Sequence, residues 1–262
     1  MAAEIRPKAH FLILVGIAGG LLSGLFGIGG GTIIVPALAI WLSMPQKLSA
    51  GTSVLAILPT AAVGATTYAL QGHVDWIAAI CLALGMIIGA QVGAYLLDKL
   101  SVDVVQWAFM VFLAAIIVTL WFVVPSRDAS IDMSFWTVAL LVITGFITGI
   151  LSGIWGVGGG VVVVPVLMFF FGANDLIAKG TSLLMMIPGS ISATLGNLRR
   201  QNVDFRAAAF VGLAACLFVP LGSLFAGWID PFWGNVAFSA YLVFILAQMM
   251  VRWLKKRRTN LT

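Results

Sequence analysis

Apolar residues run along this chain in long blocks, without the strict alternation of half-buried strands. Ten blocks stand out, at 10–26, 31–44, 50–70, 75–98, 103–124, 133–155, 160–172, 179–198, 204–227 and 232–254. At 1.5 Å per residue, most are long enough to cross a hydrocarbon core of about 30 Å as helices. The exceptions fall in two pairs, 10–26 with 31–44 and 133–155 with 160–172, each interrupted by glycines. One helix over 10–44 would reach about 50 Å, so the chain must turn back there. A full hairpin and a short pair meeting inside the bilayer are both open, and the short pair is the expected form.

The blocks repeat. Gly29-Gly30-Gly31 is answered by Gly158-Gly159-Gly160, an offset of 129 residues. The same offset pairs Ser23-Gly24 with Ser152-Gly153, Pro36 with Pro165, and Gly51-Thr52-Ser53 with Gly180-Thr181-Ser182. It also pairs Pro59 with Pro188, Val74-Asp75 with Val203-Asp204, and Gly93 with Gly222, without a gap. Between positions 20 and 36, 10 of 17 residues are identical, so the chain is a tandem duplication. Residues 1–128 form a first five-segment transmembrane repeat and 129–262 a second, together one integral membrane domain.

Composition agrees. Hydrophobic residues make up 61% and charged residues 9%, where a soluble domain carries roughly 25% charged. Such a chain cannot cover itself with water-compatible side chains. A soluble enzyme, a disordered segment and a disulfide scaffold are excluded, the last also by having only Cys81 and Cys216. The stretch after Arg6 and Lys8 runs on past Trp41 with no small-residue cleavage site, so the N-terminus is expected to be retained. The expected fold is an all-α polytopic membrane protein.

Charge then sets orientation. If each glycine-broken pair returns to the side it left, each half makes an odd number of crossings and the two halves are inverted. Placing both termini in the cytoplasm puts 12 of the 14 basic residues inside: Arg6, Lys8, Lys47, Lys99, Arg199, Arg200, Arg206, Arg252, Lys255, Lys256, Arg257 and Arg258. Only Arg127 and Lys179 fall outside, as the positive-inside rule favours. The basic residues form no patch for nucleic acid. Inverted repeats with broken helices are an architecture of secondary transporters.

Chemistry concentrates at the duplicated glycines. After the break a new helix begins, and its first amides lack intrahelical partners. Together with the helix dipole they suit an anion. The candidate anion-binding groups are therefore Gly29, Gly30, Gly31 and Thr32 in one half, and Gly158, Gly159, Gly160 and Val161 in the other. The competing reading is that these glycines only permit close packing or a tight turn. The run is not a nucleotide fingerprint, having no preceding strand and no downstream acid.

The Gly-Thr-Ser steps are expected at the starts of the third segments, where Thr52, Ser53, Thr181 and Ser182 either help bind the anion or cap the helix. Pro59 and Pro188 are kinks or hinges. Ser190, Thr194 and Asn197 share a helical face as a candidate pathway, with Thr60 and Thr67 on a looser stripe in the first half. Asp75 and Asp204 read as interfacial caps, and Gly85, Gly89 and Gly93 as a close helix contact. No clustered ligands offer a metal site, no cofactor motif is present, and no nucleophile has a positioned base.

At these residues the chain resembles the sulfite exporter TauE/SafE family of membrane transporters. The resemblance is carried by the two Gly-Ile/Val-Gly-Gly-Gly runs followed by Pro36 and Pro165, by the Gly-Thr-Ser steps, and by Gly72-His73-Val74-Asp75-Trp76. In the second copy Gln201 stands where Gly72 does in the first, a departure at the turn. The resemblance implies a carrier of small sulfur-containing anions, sulfite or organosulfonates, in a prokaryotic cell (inner) membrane. Alternating access by a secondary transporter is the leading expectation. A passive anion channel and a non-transporting scaffold subunit are the alternatives. Its expected partners are the anion and the lipid bilayer, with no nucleic acid, while oligomeric state is left open.

Overall fold

A computed structural model describes residues 9–122, 131 and 133–259. Arg6, Lys8 and Arg127, and the side chains of Arg252 and of Lys255 to Arg258, lie outside what is described. Among the described residues ten helices follow one another: α1 (Ala9–Phe26), α2 (Gly31–Ile40), α3 (Gln46–Leu70), α4 (Trp76–Lys99), α5 (Val102–Phe122), α6 (Phe135–Trp155), α7 (Gly160–Phe170), α8 (Asp175–Leu198), α9 (Phe205–Trp228) and α10 (Pro231–Thr259). Among the described residues there is no strand, and eight helices are long and apolar enough to cross a membrane. The other two, α2 and α7, have 10 and 11 residues. At 1.5 Å per residue they reach about 15 Å, half a hydrocarbon core. Each glycine-broken pair is thus a span-length helix followed by a half-length one.

Helices α3 and α8 begin at Gln46 and Asp175, four residues before the expected starts. The hydropathy pattern marks where a helix becomes apolar. Gln46, Lys47 and Asp175 are polar but accept helical backbone, so the pattern misses this first turn. Asp75 and Asp204 cap α4 and α9 as expected, each carboxylate accepting an amide N–H three residues on at 2.9 Å. Gln201 holds φ +56°, in the same left-handed region as Gly72 at +76°. The turn survives the loss of glycine.

Packing follows the repeat. Helix α1 lies along α9, and its repeat counterpart α6 lies along α4, so the first helix of each half packs on the fourth helix of the other. Small residues make this possible. Gly16, Gly20 and Gly24 face the carbonyls of Val211, Ala215 and Val219, and their counterparts Gly145, Gly149 and Gly153 face those of Leu82, Met86 and Ala90. From the other side Gly85, Gly89 and Gly93 press on Val142, Phe146 and Ile150. In lipid, where burial against a neighbour gains little over burial in acyl chains, such close backbone approach is a main source of helix association.

The repeat-equivalent helices α3 and α8 pack against each other and run antiparallel. Gly51 near the start of α3 meets Asn197 at the end of α8, and Gly180 near the start of α8 meets Tyr68 at the end of α3. Helices α5 and α10 likewise pack as a pair, outside this centre.

A side chain in the glycine stripes has no room. A Cβ at Gly89 would lie 2.0 Å from the Phe146 carbonyl oxygen, whereas one at Gly234 meets nothing within 4 Å. Gly89→Leu should therefore destabilise the protein by about 1–3 kcal/mol or more and Gly234→Leu by much less, measured by thermal unfolding in detergent.

Candidate functional site

The two breaks share one backbone shape. Gly27, Gly29 and Gly30 have φ of +70°, +71° and +76°, and Gly156, Gly158 and Gly159 have +72°, +86° and +94°. Left-handed backbone at three of four residues is tolerable only with glycine. Gly27 and Gly156 close the preceding helices, their amides donating to Ser23 and Ser152 carbonyls at 2.8 and 2.7 Å. Gly30 and Gly159 then start α2 and α7, each carbonyl accepting from the amides three and four residues on.

The structure brings the two breaks into contact. A Cβ at Gly31 would lie 2.6 Å from Val157 Cα, and one at the counterpart Gly160 would lie 2.7 Å from Ile28 Cα. Ile57 and its counterpart Met186 each lie beside both Gly29 and Gly158. All residues from Gly27 to Thr32 and from Gly156 to Val161 are buried. Among the described residues, no acceptor is bonded to the amides of Gly29, Gly30, Gly31 and Thr32, or of Gly158, Gly159, Gly160 and Val161. Buried backbone donors are almost always paired, so these eight adjoining amides are a candidate site for an acceptor.

The Gly-Thr-Ser hydroxyls stand in the second turns of α3 and α8, not at their starts, and they tie the halves together. Ser53 donates to the Gly156 carbonyl at 2.8 Å, and Ser182 donates to the Gly27 carbonyl at 2.6 Å. The Asp204 amide donates to Thr52 at 2.9 Å and the Asp75 amide to Thr181 at the same distance. Four hydrogen bonds in two repeat-related pairs thus cross between the halves beside the breaks. Thr32 takes a different partner, the Tyr241 hydroxyl at 2.8 Å. Its counterpart Val161 has no hydroxyl.

Ser190, Thr194 and Asn197 are all buried on α8, and each carries an oxygen with no hydrogen-bond partner among the described residues. The same holds for Ser23, Thr148 and Ser152 on α1 and α6. Thr60 and Thr67 instead bond back to carbonyls in their own helix. Pro59 and Pro188 both lie within continuous helices.

Three features escape a reading of the sequence. Tyr68 donates to the Gly24 carbonyl at 2.7 Å, just before the first break. Aromatic triads flank the breaks: Phe26 with Phe238 and Tyr241, and at the counterpart positions Trp155 with Phe109 and Phe112. The third is an ion pair. Lys179 Nζ lies 3.2 Å from Asp175 Oδ2, with side chains only 10% and 3% exposed. The apolar pattern hides it, because Asp175 precedes the block that contains Lys179. The i,i+4 spacing was the available signal. A Cβ at Gly27 would lie 2.6 Å from Lys179 Cα, and at Gly156 the corresponding neighbour is Ala50. One break therefore packs against a helix turn bearing a lysine, and the other against one bearing alanine.

Comparison with known proteins gives one family. The model of the family described as sulfite exporter TauE/SafE matches residues 2–120 and 141–261. The chain is similar to the "Probable membrane transporter protein YunE" of Bacillus subtilis (strain 168), 24% identical over 74% of this chain and 80% of that one. It is 27% identical to YdhB of the same organism, another "Probable membrane transporter protein", over the same shares. A "Probable membrane transporter protein" of Haemophilus influenzae is 30% identical over 72% of each chain. No solved structure matches.

Removing one partner of a buried ion pair strands the other. Lys179→Met should cost about 3–5 kcal/mol of stability, and adding Asp175→Leu should restore most of it. Denaturation of the purified single and double variants checks this.

Proposed function

The chain belongs to the sulfite exporter TauE/SafE family of membrane transporters, and on that premise we propose that it is a secondary transporter of a small sulfur-containing anion, sulfite or an organosulfonate, working by alternating access. The observation that carries the proposal is the set of eight buried, unpaired amides on two touching helix starts. An oxyanion has several acceptor atoms and spreads its charge over them, so it can satisfy donors converging from both halves. Helix termini contribute partial positive charge of about half a unit each. That suffices to attract an anion and still lets it leave, as a carrier requires.

Thr52, Ser53, Thr181 and Ser182 hold the two breaks in register through the cross-half bonds, and they are close enough to add hydroxyl contacts when the halves part. Lys179, neutralised by Asp175, places a local ion-pair dipole on one side only. The partnerless oxygens of Ser190, Thr194 and Asn197 make α8 the polar wall of the route, with Pro59 and Pro188 as its hinges. In this reading the halves are inverted in a prokaryotic cell membrane with both termini in the cytoplasm. The antiparallel packing of α3 on α8 supports that arrangement.

Glycine substitution does not test the site cleanly, since a Cβ at Gly30 would lie 2.7 Å from the Gly19 carbonyl oxygen and disturb packing as well. Flux does. The purified chain in proteoliposomes should carry sulfite or a sulfonate saturably, with counterflow when the unlabelled anion is placed on the opposite side. No flux above empty vesicles would refute the transporter reading, and single-channel currents would replace it by a pore.

A further inference from the structure

A cavity of about 430 Å³ lies between α2, the first turn of α3, α5 and α10, and none of the candidate binding residues lines it. Its walls include Pro36, Gln46, Gln106, Met110, Met249 and Trp253. At the other end of the α5–α10 pair is a hollow of only about 40 Å³, lined by Leu120, Asn235 and Ser239 among others. The two are related by the repeat. Adding 129 to Gln106 and Met110 gives Asn235 and Ser239, and subtracting it from Met249 gives Leu120. Three positions of the α5–α10 pair therefore line a space at each end of that antiparallel pair, wide at one end and narrow at the other among the described residues.

We propose that the larger cavity is the open vestibule by which the transported anion approaches the glycine breaks, and that the small hollow is the same vestibule of the other half in its shut form. The proposal rests on the transporter reading above. The inner wall of the cavity supports it. Pro36 is one helical turn from Thr32 at the first break. Phe109, also in the wall, has its ring 5.1 Å from that of Trp155, the last residue of α6 before the second break. On the shut side the counterpart rings of Phe238 and Phe26 are 4.8 Å apart. A ring pair thus adjoins the inner wall of the cavity, and its counterpart pair occupies the repeat-related place.

The lining also narrows the ligand. Apolar side chains form most of it, three methionines, Phe109 and Trp253 among them, two carboxamides offer N–H donors, and no ionised side chain takes part among the described residues. A volume in the range of small-molecule sites with that chemistry suits an anion bearing an apolar body. A bare oxyanion would gain little from methionine and tryptophan walls. On the positive-inside reading the cavity opens to the cytoplasm, since it lies at the end of α10 that carries the basic tail.

Cysteine accessibility tests this. In a chain with Cys81→Ala and Cys216→Ala, Met110→Cys should react with a membrane-impermeant thiol reagent from the face bearing the C-terminal tail and not from the other. With the reverse state populated at about 10% or less, Ser239→Cys should react at least about tenfold more slowly. A saturating sulfonate that is carried should shift the two rates in opposite directions. The shallower pair Gln106→Cys and Asn235→Cys repeats the comparison if a deeper variant fails to fold. Equal rates at the paired positions, or no reaction at Met110→Cys and Gln106→Cys in a chain that carries flux, would overturn the vestibule. Absence of flux would sink the transporter reading without altering one-sided labelling.

Discussion

A helix broken inside an apolar layer leaves amide and carbonyl groups that lipid cannot satisfy. Most features of this structure are arranged around that constraint. The breaks are withdrawn from lipid and pressed against each other, Gly31 on Val157 and Gly160 on Ile28. The carbonyls released at Gly27 and Gly156 are taken by Ser182 and Ser53 of the opposite half. The carbonyl of Gly24 is taken by Tyr68. The amides are left over. Acceptors are thus supplied with donors from the protein while the amides at the two breaks are not, and on the proposed reading this imbalance is what an anion would meet.

Holding two breaks together requires close packing on both flanks. The stripes Gly16-Gly20-Gly24 and Gly145-Gly149-Gly153 let α1 and α6 sink onto the carbonyls of α9 and α4, which brings each break to the centre from its own side. Exchange of the two halves leaves this frame unchanged. The departures from symmetry are chemical. Lys179 answers Ala50, Thr32 bonded to Tyr241 answers Val161, which has no hydroxyl, and the wide cavity answers the narrow hollow. A symmetric frame with unequal sides can present one centre to two compartments and still distinguish them.

The frame was legible from residue pattern because each of its elements leaves a local mark. Lipid-crossing helices appear as apolar blocks, and positive-φ turns as glycines that recur at a fixed offset. Close helix contacts appear as glycines four residues apart. The early starts of α3 and α8 were hidden because Gln46, Lys47 and Asp175 are polar yet helical. The cross-half bonds of Ser53 and Ser182 could not be read, since their acceptors are backbone carbonyls more than a hundred residues away, and a carbonyl carries no sequence signature. The cavity was hidden for the same kind of reason: Gln106 and Met249 are ordinary residues on separate helices until tertiary packing places them around one space.

The central claim is that the amides of the paired breaks hold the anion. It is tested most directly by an experimental structure of the protein with selenite, whose anomalous scattering marks the ion among protein atoms. The account predicts a peak within about 3.5 Å of the amide nitrogens of Gly29–Thr32 and Gly158–Val161, the outer limit of a hydrogen bond. A peak confined to the Lys179–Asp175 pair or to the surface, with the breaks still in contact and unliganded, would contradict it.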